Sequence, residues 1–239
     1  MRRRNNLHRL ISVMITAVYL WRIPPIRTPQ AIWHMALDRS SLKKDPSIAF
    51  HKLIGTGTGE TFTPRDADPT LWGLIVTIDE MNVAAFDAGS VVSSWRKFAI
   101  SEVRYLASPI SSHGKWAGVQ PFDVDFELGK SWTGQVLAIT RAKIRWRKNL
   151  RFWRAVPPVI ESLRHEIGVE SAIGIGEAPL GLQGTLSIWR DGAALQAFAY
   201  KGAAHSAVIR ETARQHWYSE ELFARFALRE VRGSVTSTK

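Results

Sequence analysis

Cysteine is absent from all 239 residues. Disulfides, thiolate nucleophiles, cysteine-ligated zinc, iron–sulfur clusters and thiolate-ligated haem are therefore excluded together, because each needs that sulfur. The compartment stays open, with a reducing cytoplasm as the simplest reading. No HExxH zinc helix, nucleophile elbow, kinase set or Gly-Lys-Ser/Thr phosphate loop is present. Carboxylates are scarce beside cations: 21 Asp and Glu against 32 Lys and Arg, for a formal net charge of +11. That balance favours anionic partners such as nucleic acid, acidic lipid headgroups or the carboxylates of a cofactor, and it equally describes a solvated basic surface. The apolar stretch 10–20 follows arginines as a signal peptide would. It is too short to span a bilayer and lacks a small-residue cleavage site before Trp21, so residues 1–12 read as a basic arm.

Tryptophan is abundant, at ten residues, which suits a core, an apolar pocket or a membrane-facing surface. The chain also repeats itself once, in order. Asp79 follows an apolar run and precedes Phe86, and Asp191 precedes Phe198 at the same spacing. Around this pair, Ile15-Thr16 with Trp21 answers Ile139-Thr140 with Trp146, and Gly57-x-Gly59-Glu60 answers Gly174-x-Gly176-Glu177. Arg104-Tyr105 likewise answers Arg225-Phe226. Such self-similarity predicts two copies of one supersecondary unit, 13–110 and 135–232, joined by a linker 111–134 and followed by a tail 233–239.

Each copy reads strand, helix, strand, strand, helix, strand. The first has strands over 13–21, 49–54, 71–78 and 103–109. Its helices are 28–44, with helical spacing through Ile32, Met35 and Ala36, and 80–100. The second has strands over 136–144, 170–176, 185–189 and 222–230, with helices 151–167 and 192–216. A βαββαβ unit is the ferredoxin-like split motif, a sheet with both helices on one face. Packing two such sheets through their bare faces closes a barrel, so the expected fold is α+β: duplicated ferredoxin-like units forming one barrel within one chain.

After Gly202, the residues His205, Val208, Ile209, Thr212 and His216 share one helical face, so His205 should point inward. A neutral imidazole there suits an axial haem ligand, and it also describes a core histidine whose hydrogen bonds are satisfied. His216, about 16 Å further along the helix, cannot share the same metal. Gly55-Thr56-Gly57-Thr58-Gly59 could cradle a phosphate or form a bulged strand end. Lys143, Lys148, Arg151 and Arg154 are interleaved with Trp146, Phe152 and Trp153, a pattern that grips anions or snorkels over apolar surface. Arg141 interrupts an apolar strand, and a buried arginine needs a carboxylate or an ordered anion.

Several longer motifs carry a family likeness. His51-Lys52-Leu53-Ile54-Gly55-Thr56-Gly57-Thr58-Gly59-Glu60-x-Phe62-Thr63-Pro64 resembles a signature of the spheroidene monooxygenase family of carotenoid biosynthesis. So do Thr140-Arg141-Ala142-x-Ile144, Arg151-Phe152-Trp153-Arg154-x-Val156-Pro157, Ile173-Gly174-Ile175-Gly176-Glu177-x-Pro179-Leu180, and the stretch from Phe198 through His205 to Phe226. The resemblance implies a dimeric α/β-barrel-like fold and an O2-dependent monooxygenase that places a C2 keto group on an acyclic carotenoid. It implies haem b as cofactor, with His205 as iron ligand and Arg141 and Arg151 pairing with the propionates. A Trp- and Phe-lined cavity would hold the polyene end. An external donor such as ferredoxin would supply electrons, and a cytoplasmic protein touching the membrane peripherally would fit the basic surface. A cofactor-free barrel monooxygenase acting on a quinol-like substrate and a nucleic-acid binder are the rival expectations.

Overall fold

The computed structural model describes residues 13–58, 66–144, 166–177, 184–201 and 218–235. Eight strands close into a single barrel. They are β1 (Met14–Arg22), β2 (Ile48–Gly57), β3 (Ala67–Asp79), β4 (Ser101–Gly114), β5 (Val136–Ile144), β6 (Val169–Gly176), β7 (Gly184–Trp189) and β8 (Tyr218–Gly233). The order around the barrel is β1-β3-β2-β6-β7-β5-β8-β4, and every pairing is antiparallel. Read from one seam to the other, the first half runs β4-β1-β3-β2 and the second β8-β5-β7-β6. The halves meet where β2 pairs with β6 and β4 with β8, so neither sheet keeps an open edge.

The helices are α1 (Thr28–Lys44), α2 (Val83–Asp87), α3 (Ser90–Arg96), α4 (Phe126–Ser131) and α5 (Gly192–Lys201). Pro24 and Pro25 end β1 and open a 3-10 turn that leads into α1, with Pro29 in its first turn where a missing N–H is harmless. The helix expected over 80–100 is instead a 3-10 turn at Glu80–Asn82 followed by α2 and α3. The extended backbone of Gly89 separates the two helices. Inward on α1 point Ala31, Met35, Asp38 and Leu42, whereas Ile32 and Ala36 are exposed. Residues 111–114, expected in a linker, extend β4 along β8, and α4 occupies part of the remainder.

Alternation along each strand sorts side chains into two environments. One set faces the lumen: Val18, Leu20, Ile54, Leu71, Ile75, Leu137, Ile139, Ile175, Leu186, Ile188, Leu222 and Phe226 form one buried cluster. At Gly73 a Cβ would lie 2.8 Å from Leu20 and 3.0 Å from Ile54, so this core is full at the level of a methyl group. The other set, on the first half, faces the helices. Tyr19 stacks on Trp21 (ring centroids 5.5 Å) and Trp21 on Trp95 (5.0 Å). Trp95 also donates to Asp38 Oδ2 at 2.9 Å, tying α3 to α1.

Some residues matched between the halves in sequence take like places in the structure, and others do not. Asp79 and Asp191 both cap a helical segment, accepting from the N–H groups of Met81 and Ala194. Phe86 and Phe198 both pack between helix and sheet. Ile15 and Ile139, however, do not occupy like positions: Ile15 lies under the helices and Ile139 in the lumen. A strand shifted by one residue turns every side chain to the other face.

Candidate functional site

Two places gather side chains that could serve chemistry. The first is a charged cluster at one mouth of the barrel. Arg141 on β5 points into the lumen and is 5% exposed. It donates to Glu177 Oε1 at 2.8 Å, just beyond β6, and to Glu220 Oε1 at 2.6 Å on β8. Lys52 of β2 reaches Glu177 Oε2 at 2.8 Å. Trp116 donates its indole N–H to Glu177 Oε1 at 2.6 Å and lies under the Arg141 guanidinium, 5.3 Å from ring centroid to Cζ.

Trp116 comes from the turn after β4. Backbone φ angles of 55° at Ala117 and 80° at Gly118 aim both N–H groups at Glu220, at 3.0 and 2.6 Å. Gly118 suits this left-handed geometry without penalty. The turn thus plugs the barrel: Trp116 and Phe122 enter the lumen core beside Phe50 and Phe226. Burial pushes the Glu177 carboxyl upward, but hydrogen bonds from Lys52 and Trp116 and the nearby cations outweigh it and hold the group below the usual range. For Glu220, burial is again outweighed, by the N–H groups of Gly118 and Ala117 and by Arg141. Two carboxylates, both held below their usual range, face the Lys52 and Arg141 side chains. The cluster is a lock on the plug, with no charge left over for an anion.

A void of about 10 Å³ beside Ile54, Trp116, Arg141 and Glu177 has room for one water. The expected aromatic cavity is therefore absent from the described lumen, where Phe50, Trp116, Phe122 and Phe226 touch one another.

The second place is the outer face of the second half. The outward residues of the first sheet include Tyr19, Trp21, Leu53, Trp72 and Leu74. Their counterparts on the second are small: Ala138, Thr140 and Ala142 on β5, Ala172 and Gly174 on β6, and Thr185 and Ser187 on β7. Trp189 and Phe198 cover one end of this floor under α5 (5.4 Å between rings), whereas Thr140 and Ala172 are exposed. The chain leaves β5 toward Arg151 and leaves α5 toward His205, so both residues follow elements that border this floor.

His205, Arg151 and the basic arm lie outside the described residues. Arg141 is described, and it corrects the expectation that it would pair with a haem propionate. Its terminal nitrogens are taken by Glu177 and Glu220, and it faces the filled lumen rather than the outer floor; only Nε lacks a partner. As a propionate partner it does not fit. Lys52, Trp116, Glu177 and Glu220 were not anticipated as its company, although a buried arginine calls for carboxylates. The glycine motif is a seam rather than a phosphate cradle over its described part: Gly55 pairs with Gly176 and Gly57 with Gly174. Among the described residues no group of three His, Asp or Glu side chains is placed to hold a metal, and no helix is long and apolar enough to cross a membrane.

The architecture defines the class: an α+β protein on a closed eight-stranded antiparallel barrel. An aldoxime dehydratase solved in complex with butyraldoxime shares it at a TM-score of 0.60 and 10% identity, over 90% of this chain and 79% of that one, a likeness of fold alone. Sequence comparison is more specific, although no protein-family model matches the chain. Spheroidene monooxygenase of Rhodobacter capsulatus is 37% identical over 208 residues, 86% of this chain and 86% of that protein. The spheroidene monooxygenase of Rubrivivax gelatinosus is 35% identical over 196 residues, 79% of this chain and 72% of that one. The chain belongs to the spheroidene monooxygenase family and is an O2-dependent oxidoreductase.

Proposed function

We propose that this monooxygenase oxidises an acyclic carotenoid near one end of its polyene, leaving a C2 keto group. Two successive oxygen insertions at one carbon, followed by loss of water, produce the ketone, and each insertion consumes one O2 and one electron pair from an external donor such as ferredoxin. Identity to proteins named for that substrate, over most of the chain, is the observation that carries this reading.

The reacting end of the polyene lies on the outer floor of the second half. A rigid, flat chain needs a surface without projecting side chains, and the outward residues Thr140, Ala172 and Thr185 offer one, beside buried Ala142 and Gly174, where the first half carries indoles. Haem b is the proposed cofactor, held by His205 with Arg151 toward its propionates; when bound, it supplies the activation of O2. The chain's own contribution is orientation and a dry surface, backed by a barrel core too full to yield. The two halves, with their matching strand order, are read as duplicated ferredoxin-like βαββαβ units.

Turnover under 18O2 with an acyclic carotenoid and reduced ferredoxin tests the reaction. The expected product is a ketone carrying the label, and an unlabelled product or none refutes it. The visible spectrum of the protein beside its His205→Ala variant tests the cofactor: the haem band should be lost or shifted in the variant, and an identical spectrum removes His205 as ligand.

A further inference from the structure

We propose that the outward face of α1 docks the protein onto an anionic lipid bilayer. On this helix Trp33 and Leu37 sit diametrically opposite the buried stripe Ala31, Met35, Asp38 and Leu42. Trp33 is 63% and Leu37 50% exposed, flanked by Ile32 at 47% and, in the turn before the helix, Ile26 at 83%. A monomeric surface rarely presents four large apolar side chains in one group without a use for them.

Charge identifies the partner. The exposed charged residues of α1 and the turn before it, Arg27, Arg39, Lys43 and Lys44, are all cationic. The one acid within α1, Asp38, is turned inward to Trp95 and His34. Asp45, just past the helix end, is occupied by the N–H and hydroxyl of Ser47. Tryptophan and leucine at the crest with arginine and lysine at the shoulders is the pattern of a helix lying in the lipid interface: the apolar crest sinks among the headgroups and the cations snorkel to phosphate. A second copy of this chain fits poorly, because an isologous contact would set these cations against themselves in a protein of net charge +11. The surface stands on its own observations, and a lipid-dissolved substrate would give it a purpose.

The test is co-sedimentation of the full chain with vesicles of phosphatidylcholine, with and without phosphatidylglycerol, in the absence of substrate. Binding is expected only with the anionic lipid. Lys43→Gln/Lys44→Gln should weaken it about 30-fold, since each cation near such a surface contributes about fivefold. Trp33→Ser/Leu37→Ser should weaken it by about tenfold or more. All four substituted residues are exposed, so circular dichroism and the melting temperature should be unchanged. Failure of the native protein to pellet, equal binding to neutral vesicles, or native-like binding by either variant overturns the proposal. A dimer in solution that Trp33→Ser/Leu37→Ser abolishes would assign the face to a second copy instead and overturn it equally. Because no carotenoid is present, the result is separate from that of the turnover assay.

Discussion

Replacing Arg141 with methionine removes a guanidinium that joins two carboxylates at the barrel mouth, at 2.8 Å from Glu177 and 2.6 Å from Glu220. Glu177 retains Lys52 and Trp116, and Glu220 retains the N–H groups of Ala117 and Gly118. Deleting one partner of a fully buried ion pair costs about 3–5 kcal/mol. The Glu177 and Glu220 side chains are 29% and 18% exposed, so water and the remaining partners recover part of that. The expected loss is about 2–3 kcal/mol, or about 4–12 °C in Tm for a chain of this size. Its pH dependence carries the signature of the cluster. Both carboxyls are held below their ordinary range in the folded protein. Such a group contributes stability that is fully present above its unfolded pKa, near 4.3 for glutamate, and is lost as pH falls through the folded value. In urea titrations the gap between native and Arg141→Met protein should be full at pH 7 and should narrow below about pH 4. A variant within about 0.5 kcal/mol of native at pH 7 would refute the lock. So would a gap that persists undiminished in acid.

Trp95→Phe keeps the aromatic stack but leaves buried Asp38 without its indole donor, and denaturant midpoints should report a loss of about 1–3 kcal/mol. An Asp38→Asn/Trp95→Phe pair whose loss equals the sum of the two single losses would show that the bond contributes nothing. Gly184→Ala brings a Cβ within 2.2 Å of the Thr140 carbonyl, in the β5–β7 ladder, where no flexible side chain can yield. Thermal melts should show about 2 kcal/mol or more of destabilisation, and native-like stability would contradict the register.

Much of this fold is legible in the chain. The strands alternate or run apolar, Asp79 and Asp191 announce their helices, and Pro25 and Pro46 bracket α1. What alternation cannot convey is whether a barrel is full or hollow: Leu20, Ile139 and Phe226 read the same in either case, and only their mutual contacts decide it. The different placing of Ile15 and Ile139 is invisible for a similar reason, since identical residue types recur on both faces of a strand buried on both sides. Arg141 was recognisable as a buried cation in need of a counter-charge. Its partners lie 36 and 79 residues away, one just beyond β6 and one on β8, and no local spacing points to them. The outward face of α1 is not legible in the sequence, because its apolar residues Ile32 and Ala36 fit a helical period equally well when read as core.

The proposed location of the chemistry, outside the barrel on the small-residue floor, is tested most directly by carotenoid turnover in Ala172→Trp. Position 172 is exposed on β6, so an indole there fills the floor without entering the core. The expected result is turnover reduced tenfold or more at an unchanged melting temperature. Native turnover by a protein carrying that indole would place the reaction elsewhere.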